Sequence, residues 1–313
     1  MGKLKKLYEK AGGKECLKRY WKAGVLPLVG FEALLLGFSK PSLEIIRDIV
    51  DLKVQRKLQK KYGHLCDGIK TEGLAHNTSN KVWVLWLQGM DNAPALVQDC
   101  YRSLQENLTD KEIILLTEDN YRDYVTFPQH VQSKIDSGVI TKTHFSDLLR
   151  LELLLNHGGT WIDATVLCTG SDYPKEQFEA DLFMYQELKP GKDGHANFVS
   201  SWFMSAKTNN PILLATREMI YAYWAKNKSM VDYFLIHQFI CIAAAYFPKE
   251  WNKVPQMDSS TPHILLLKLF EEYSEEELKR ICNMTCFHKL TYKFGEEDKN
   301  KNNTYYSHIF GGK

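Results

Sequence analysis

Among the charged side chains in the leucine-rich sequence between Thr143 and Leu167 are Asp147, Arg150 and Asp163. Asp147 and Arg150 are three residues apart, a spacing that puts both on one face of a helix. Around them Leu148, Leu149, Leu151, Leu153, Leu154 and Leu155 make that helix apolar on most of its circumference, so it must be buried. Gly158-Gly159 ends it, since glycine readily takes the positive φ of a C-cap. Thr160 to Leu167 then reads as a strand. Its period of two places Trp161, Asp163 and Thr165 on one side, with Ile162, Ala164 and Val166 on the other. Buried charges are costly unless they are paired or used. Two readings follow. In one, Asp147 and Arg150 form an internal ion pair and Asp163 caps a turn. In the other, the three charges are used by a functional site.

Such residues need a scaffold that holds them. Lys81-Val-Trp-Val-Leu-Trp-Leu-Gln-Gly89 has the composition of a buried strand with a glycine stop. Asn92-Ala-Pro94 opens a helix running to about Glu106, and Glu112–Thr117 forms a second strand with Glu118-Asp-Asn120 in the following turn. Strand and helix alternating in this order predict an α/β fold with a parallel sheet. Ligands bind such sheets at the carboxyl ends of strands. Gln88, Gly89 and residues 118–120 are therefore either crevice-lining groups or plain loop.

The chain has 313 residues, 44% hydrophobic and 25% charged, proportions that exclude a disordered, collagen-like or coiled-coil protein. A net charge of +2 argues against a dedicated nucleic-acid binder. The sum hides two unlike parts. Residues 1–62 hold 15 Lys/Arg against 6 Asp/Glu, a net of +9, and the remainder holds 25 against 32, a net of −7. Seven cysteines, an odd count, favour free thiols in a reducing compartment. Cys282-x3-Cys286-x-His288 offers three metal-capable side chains where a structural zinc site usually needs four, so thiols at a helix end are the simpler reading.

The longest apolar stretch, Ala23–Phe38, falls about four residues short of the roughly 20 that span a bilayer, and it contains Pro27 and Glu32. Eight Lys/Arg precede it, and Tyr20 and Trp21 sit at the junction. Residues 1–38 thus read either as an in-plane anchor on an anionic membrane surface or as a helical extension packed on the body. A helix follows from about Ser42 to Tyr62. The expected organisation is a basic helical extension over 1–62, a polar linker over 63–80 and the main domain over 81–313.

The run Ser146-Asp-x-x-Arg150, the leucine-rich helix and Gly158-Gly-Thr-Trp-Ile-Asp-Ala-Thr165 resemble the sugar-nucleotide core of GT-A glycosyltransferases. The form is most similar to that of capsular polysaccharide synthesis proteins, which are related to a group of mannosyltransferases and to the clostridial glucosylating toxins. The likeness covers roughly residues 80–310 and is sharpest over 143–167. Trp86-Leu-Gln-Gly89, Phe198–Ala206 with Asn209-Asn-Pro211, and Asp232-Tyr-Phe-Leu-Ile-His237 extend it. The resemblance implies a Rossmann-like mixed central sheet flanked by helices, here with an N-terminal helical extension. It implies transfer of a sugar from a nucleoside diphosphate donor, UDP above all, commonly with retention and with Mn2+ or Mg2+ bridging the diphosphate. That chemistry asks the protein to stabilise charge on the departing diphosphate and on an oxocarbenium-like sugar.

Carried onto this chain, Asp147 and Arg150 match the pair that holds the donor: a carboxylate for sugar hydroxyls and a guanidinium for hydroxyl or phosphate oxygens. Asp163 matches the first Asp of the Asp-x-Asp motif, which contacts ribose and the metal shell, with Gln88, Gly89 and Trp161 expected around the nucleotide. Thr165 stands where the second Asp would be, and a neutral hydroxyl is a weak ligand for a hard cation. Either Asp163, Thr165 and His237 hold the ion together with waters, or basic groups replace it, Lys289 and Lys293 being the candidates. A helix histidine without special role, and lysines on a solvated strand, are the plain alternatives.

The expected protein is a glycosyltransferase peripheral to the cytoplasmic face of the plasma membrane. It would extend a capsular or other surface glycan on a polysaccharide or lipid-linked oligosaccharide acceptor. The alternative is a catalytically inactive sugar-nucleotide or glycan-binding subunit of a synthase complex. A Golgi-type anchored transferase is a third reading, and it requires residues 23–38 to span.

Overall fold

Seven strands are present among the described residues: β1 (Lys81–Leu85), β2 (Glu112–Leu116), β3 (Gly159–Ile162), β4 (Val166–Cys168), β5 (Leu182–Gln186), β6 (Val199–Ala206) and β7 (Phe287–Lys289). The structure is a computed structural model and describes residues 13–37, 39–70, 72–189 and 196–311. Among the described residues eight helices of ten or more residues accompany the strands: α1 (Gly13–Ala23), α2 (Leu26–Leu36), α3 (Lys40–Tyr62), α4 (Ala95–Asn107), α5 (Lys142–His157), α6 (Pro211–Lys226), α7 (Leu235–Tyr246) and α8 (Glu275–Met284).

The central sheet has the order β2-β1-β3-β6-β5. β1 runs parallel to β2 and β3, as strand–helix alternation predicts, but β6 is antiparallel to β3 and to β5. The sheet is mixed, with helices on both faces. Period-two alternation sorts its side chains between two cores. Trp83, Trp161, Met184 and Met204 join one core with α3, α5, α6 and α7. Val82, Val84, Ile162, Phe183, Tyr185 and Phe203 join the other, against α4. A third cluster lies under the C-terminal segments, around Leu265, Leu269, Ile281 and Leu290.

Residues 40–62 do not stand apart from this body. Val50, Val54, Leu58 and Tyr62, each four residues from the next, form a stripe on α3 that enters the first core. The segment expected as a linker is fastened as well. Cys66 is buried in a 3-10 turn, the Asn77 amide donates to Thr208 Oγ1 at 2.9 Å, and Thr208 returns a bond from its own amide to the Asn77 carbonyl at 3.1 Å. Among the described residues the packing therefore continues from α3 into this segment. Polar composition marked a loop there, and the loop is tied to the sheet by its own backbone groups.

The apolar stretch after α1 is divided. Gly24 turns the chain with φ +63°, and α2 spans only Leu26–Leu36, with no buried residue. Among the described residues no helix is long and apolar enough to cross a membrane. Lys3, Lys5, Lys6, Lys10 and Phe38, part of the expected anchor, lie outside the described residues.

The helix that carries the motif is α5. Thr141 caps its start by accepting from the His144 amide at 3.3 Å, and Gly158 closes its end with φ +68°. Gly159 already belongs to β3. It has φ +91°, and a β-carbon there would collide with the Lys81 carbonyl of the neighbouring β1. One glycine of the pair ends the helix, and the other permits two parallel strands to approach.

Candidate functional site

β3 leaves the sheet immediately before the site. The Asp163 amide still reaches the Trp202 carbonyl at 2.8 Å, but Val166 then donates to the Asp163 carbonyl at 3.0 Å and closes a turn through Ala164 and Thr165. Thr160–Leu167 is thus two short strands with a turn between, not the single strand expected from its alternation. β4 departs to pair with β7, with Val166 opposite Lys289. The turn brings Asp163 and Thr165 to one ammonium group. Lys289 Nζ lies 2.6 Å from Thr165 Oγ1, 3.3 Å from Asp163 Oδ2 and 3.2 Å from the Leu290 carbonyl.

Asp147 and Arg150 do form the ion pair that buried charges require, at 3.4 Å, but Arg150 is shared more widely. Its Nη2 is 3.5 Å from Asp163 Oδ1. Its Nη1 donates to the Ser201 carbonyl, and to Ser201 Oγ at 2.6 Å. Nε and Nη2 reach the Ser146 carbonyl and hydroxyl at 3.3 Å each. The guanidinium lies over the Trp161 ring at 4.8 Å, and the Trp161 indole donates to Asp163 Oδ1 at 3.0 Å. The Asp147 and Arg150 side chains are 9% and 5% exposed, whereas Asp163 is 28% exposed. Asp147 and Arg150 are thus a buried pair, and Asp163 is the more accessible carboxylate beside them.

Asp147 has a second support that its sequence context did not reveal. His144 Nδ1 lies 3.2 Å from its Oδ2, and the Trp224 indole donates to His144 Nε2 at 2.9 Å. An indole N–H only donates, so Nε2 must accept and the ring proton sits on Nδ1, directed at Asp147. Burial pushes the Asp147 carboxyl up, but Arg150 and the His144 hydrogen bond outweigh it and hold the group below the usual carboxylate range. The only signal in the sequence was a histidine three residues before Asp147. Ser201, the other main support of Arg150, had none.

His237 is in the first turn of α7, and its Nδ1 is buried without a hydrogen-bond partner among the described residues. Burial drives its pKa down to about 4 against the opposite pull of Asp147, so the ring is neutral near pH 7.

Two clefts meet at these residues. The first, of about 800 Å³, is lined by Asp147, Arg150, Asp163 and His237 and walled by Arg47 and Asp51 of α3. The second, of about 720 Å³, is lined by Trp86, Gln88, Trp161, Thr165, Tyr292 and Lys293. Thr143, Asp163, Tyr233 and Lys289 line both. Gln88 and the two lysines thus line these clefts. Gly89, with φ +77° and its amide on the Trp86 carbonyl, shapes the loop without lining either cleft. Glu118, Asp119 and Asn120 also lie off the clefts. Asn120 instead fastens the turn, accepting from the Thr117 amide at 2.8 Å and donating to the Leu115 carbonyl at 2.9 Å.

The expected metal ligands do not fit a divalent cation. Such an ion needs several oxygen ligands. The Thr165 hydroxyl is taken by Lys289, and the two Asp163 oxygens are engaged by Arg150 with Trp161 and by Lys289. His237 joins no set: among the described residues no group of three His, Cys, Asp or Glu side chains could hold an ion. The Cys282, Cys286 and His288 cluster makes ordinary contacts too. Cys286 Sγ donates to the Asp172 carbonyl at 3.2 Å, and His288 Nε2 pairs with Thr169 Oγ1 at 3.0 Å.

Comparison with known proteins bears on the same segment. A family profile described as capsular polysaccharide synthesis protein matches residues 38–309. The chain is 28% identical to the O-glycosyltransferase braB of Annulohypoxylon truncatum over 166 residues, which is 47% of this chain and 38% of that protein. It is 25% identical to the O-glycosyltransferase PaGT of Phomopsis amygdali over 170 residues, 49% of this chain and 41% of that one. The matched segment thus spans about two fifths of the length of these curated relatives. Among solved structures, the PaToxG glycosyltransferase aligns with 85% of this chain and 97% of its own, at a TM-score of 0.38 and 14% identity, a likeness too distant to carry weight.

Proposed function

The chain belongs to the capsular polysaccharide synthesis protein family, and from that premise we propose that it is a GT-A-type glycosyltransferase using a nucleoside diphosphate sugar. The acceptor would be a hydroxyl of a growing surface polysaccharide or of a lipid-linked oligosaccharide. One observation carries the reading: a buried Asp147–Arg150 pair holds a network whose half-buried carboxylate, Asp163, stands where two clefts join. A nucleotide suits the second cleft, whose Trp86 and Tyr292 offer aromatic surface and whose Gln88 offers an amide. The sugar and acceptor then occupy the first, with the diphosphate at the junction.

In the proposed reaction the bond from the anomeric carbon to the diphosphate oxygen breaks, and its electron pair stays on phosphate. The acceptor oxygen bonds to the anomeric carbon from the donor's own face, and its proton passes to the departing phosphate. Arg150 and the groups around Asp163 supply fixed charges for the developing anion and the sugar hydroxyls. UDP is the first nucleotide to test.

We also place the N-terminal helices on an anionic membrane surface at the cytoplasmic face of the plasma membrane. Trp21 is 74% exposed on α1, and Phe31, Leu34 and Leu35 on α2 are 58%, 87% and 65% exposed. Eight Lys/Arg lie within residues 1–22, so apolar and cationic groups coincide as they do in interfacial helices. A second reading, an inactive sugar-nucleotide-binding subunit, is favoured by the neutral Thr165 at the second position of the motif.

The donor assignment is tested by thermal unfolding with a panel of nucleotide sugars. A bound donor at about 100 times its Kd raises Tm by on the order of 5 °C. We expect such a shift with one nucleotide class, lost in Asp163→Asn. No shift with any nucleotide sugar would sink the site as drawn.

A further inference from the structure

We propose that Lys289 is the resident cation of this donor site, so that the diphosphate is held without a divalent metal ion. This rests on the donor-site reading above and specifies what neutralises the donor there.

The position of the ammonium carries the argument. Lys289 Nζ sits between the Thr165 hydroxyl, at 2.6 Å, and the Asp163 carboxylate, at 3.3 Å. Those residues occupy the two positions of an Asp-x-Asp motif, between which a bridging ion would bind. Exchanging the second carboxylate for a hydroxyl removes one negative charge, and the ammonium adds one positive charge. The local balance moves by two units, which is the charge a divalent ion brings.

The backbone sets this placement. Val166 of β4 pairs with Lys289 of β7, and the Leu290 amide donates to the Thr165 carbonyl at 2.9 Å. The lysine is therefore carried on a strand locked to the motif's own turn. Its side chain is only 19% exposed and lines both clefts, at the junction where a diphosphate linking nucleotide to sugar must lie.

Arg150 is poorly placed to do this alone. Nη1 is held by Ser201, and Nη2 by Asp147, Asp163 and Ser146. The ammonium of Lys289 has three hydrogens and three acceptors, of which Asp163 is the most distant. A phosphate oxygen can take the place of Asp163, freeing that carboxylate for a donor hydroxyl. During transfer the electron pair released onto the leaving phosphate develops beside the ammonium, which keeps its own proton. The acceptor proton goes to phosphate, as above.

The test measures binding of UDP, GDP, ADP and dTDP to the full chain by titration calorimetry, in EDTA and in Mn2+, with free Mn2+ followed by electron paramagnetic resonance. The expected result is a nucleotide affinity that changes less than about twofold between the two conditions, with no Mn2+ taken up by the wild type. Lys289→Met should weaken that affinity roughly tenfold or more, the loss of one charge-assisted contact, and Lys289→Arg should recover most of it. Joining Thr165→Asp to Lys289→Ala should create Mn2+ uptake and Mn2+-dependent nucleotide binding.

Wild-type binding that requires Mn2+ would overturn the proposal while leaving the donor site standing. Wild-type affinity in a folded Lys289→Met protein would overturn it as well. If no nucleotide binds under either condition, the donor-site reading itself falls and this inference falls with it.

Discussion

Asp147, Arg150 and Asp163 were legible as a candidate site because each is a charge in a stretch that its leucines mark for burial. Their supports were not. His144 looks like any helix histidine, and the Trp224 that fixes its tautomer is 80 residues away along the chain. Ser201 is an unremarked strand serine until Arg150 reaches it. Lys289 could be named as a candidate, but its contact with Thr165 depends on the β4–β7 pairing, which local sequence does not disclose. Asp51, on the α3 wall of the first cleft, was equally invisible. Burial pushes its carboxyl up to about 7, helped by Asp232 and Asp48.

The sign of the Asp51 effect is definite. Its folded pKa lies above its unfolded value, so the folded chain binds the extra proton and loses stability as pH rises from about 4 through 7. Asp51→Asn removes that cost. Its Tm should exceed that of the wild type by on the order of 3 °C at pH 8, with the gain shrinking toward zero near pH 4. Calorimetric scans across that range check it, and parallel Tm–pH curves for the two proteins would contradict it.

At the scale of elements, α3, α4, α5, β1 and β2 followed from hydrophobic period and capping residues, to within a few positions. The break between β3 and β4 did not, because alternation continues through Asp163-Ala-Thr165 while the backbone leaves the sheet. The partner that draws β4 away is β7, more than a hundred residues later. The first two helices present a different case, since their apolar residues were visible but their exposure was not. Leu34 and Leu35 on α2 and Trp21 on α1 project into solvent, where burying each apolar side chain in a bilayer interface contributes roughly 1.5–3 kcal/mol.

Co-sedimentation with vesicles should therefore depend on both charge and these side chains. We expect binding to phosphatidylglycerol-containing vesicles, weakened by salt, and absent with purely zwitterionic ones. Combining Trp21→Ser, Leu34→Ser and Leu35→Ser should lower the partition by more than roughly tenfold. Unchanged sedimentation of that variant would show that the apolar faces of these helices do not enter the membrane.

For the whole molecule, the near-neutral sum conceals a division of labour. The first 62 residues are net +9 and the remainder net −7, yet under the proposed function the remainder has to attract an anionic donor. Arg150, Lys289 and Lys293 answer that need locally: all three line the joined clefts. The two regions also meet, because α3 lends residues to the first cleft while its buried stripe enters the sheet's core. The first cleft is thus walled by the helix that directly follows the exposed α2, an arrangement that would suit the lipid-linked acceptor we propose.

The most direct measurement of the central claim is turnover with whichever nucleotide sugar raises Tm. Chromatography would follow release of the free nucleoside diphosphate and the fate of the sugar, with glycan or lipid-linked acceptors and with water. The account predicts nucleoside diphosphate release coupled to sugar transfer, reduced at least about a hundredfold in Asp163→Asn and in Arg150→Ala. A folded wild-type protein that binds the donor yet releases no nucleoside diphosphate with any acceptor would contradict it and identify a binding subunit instead.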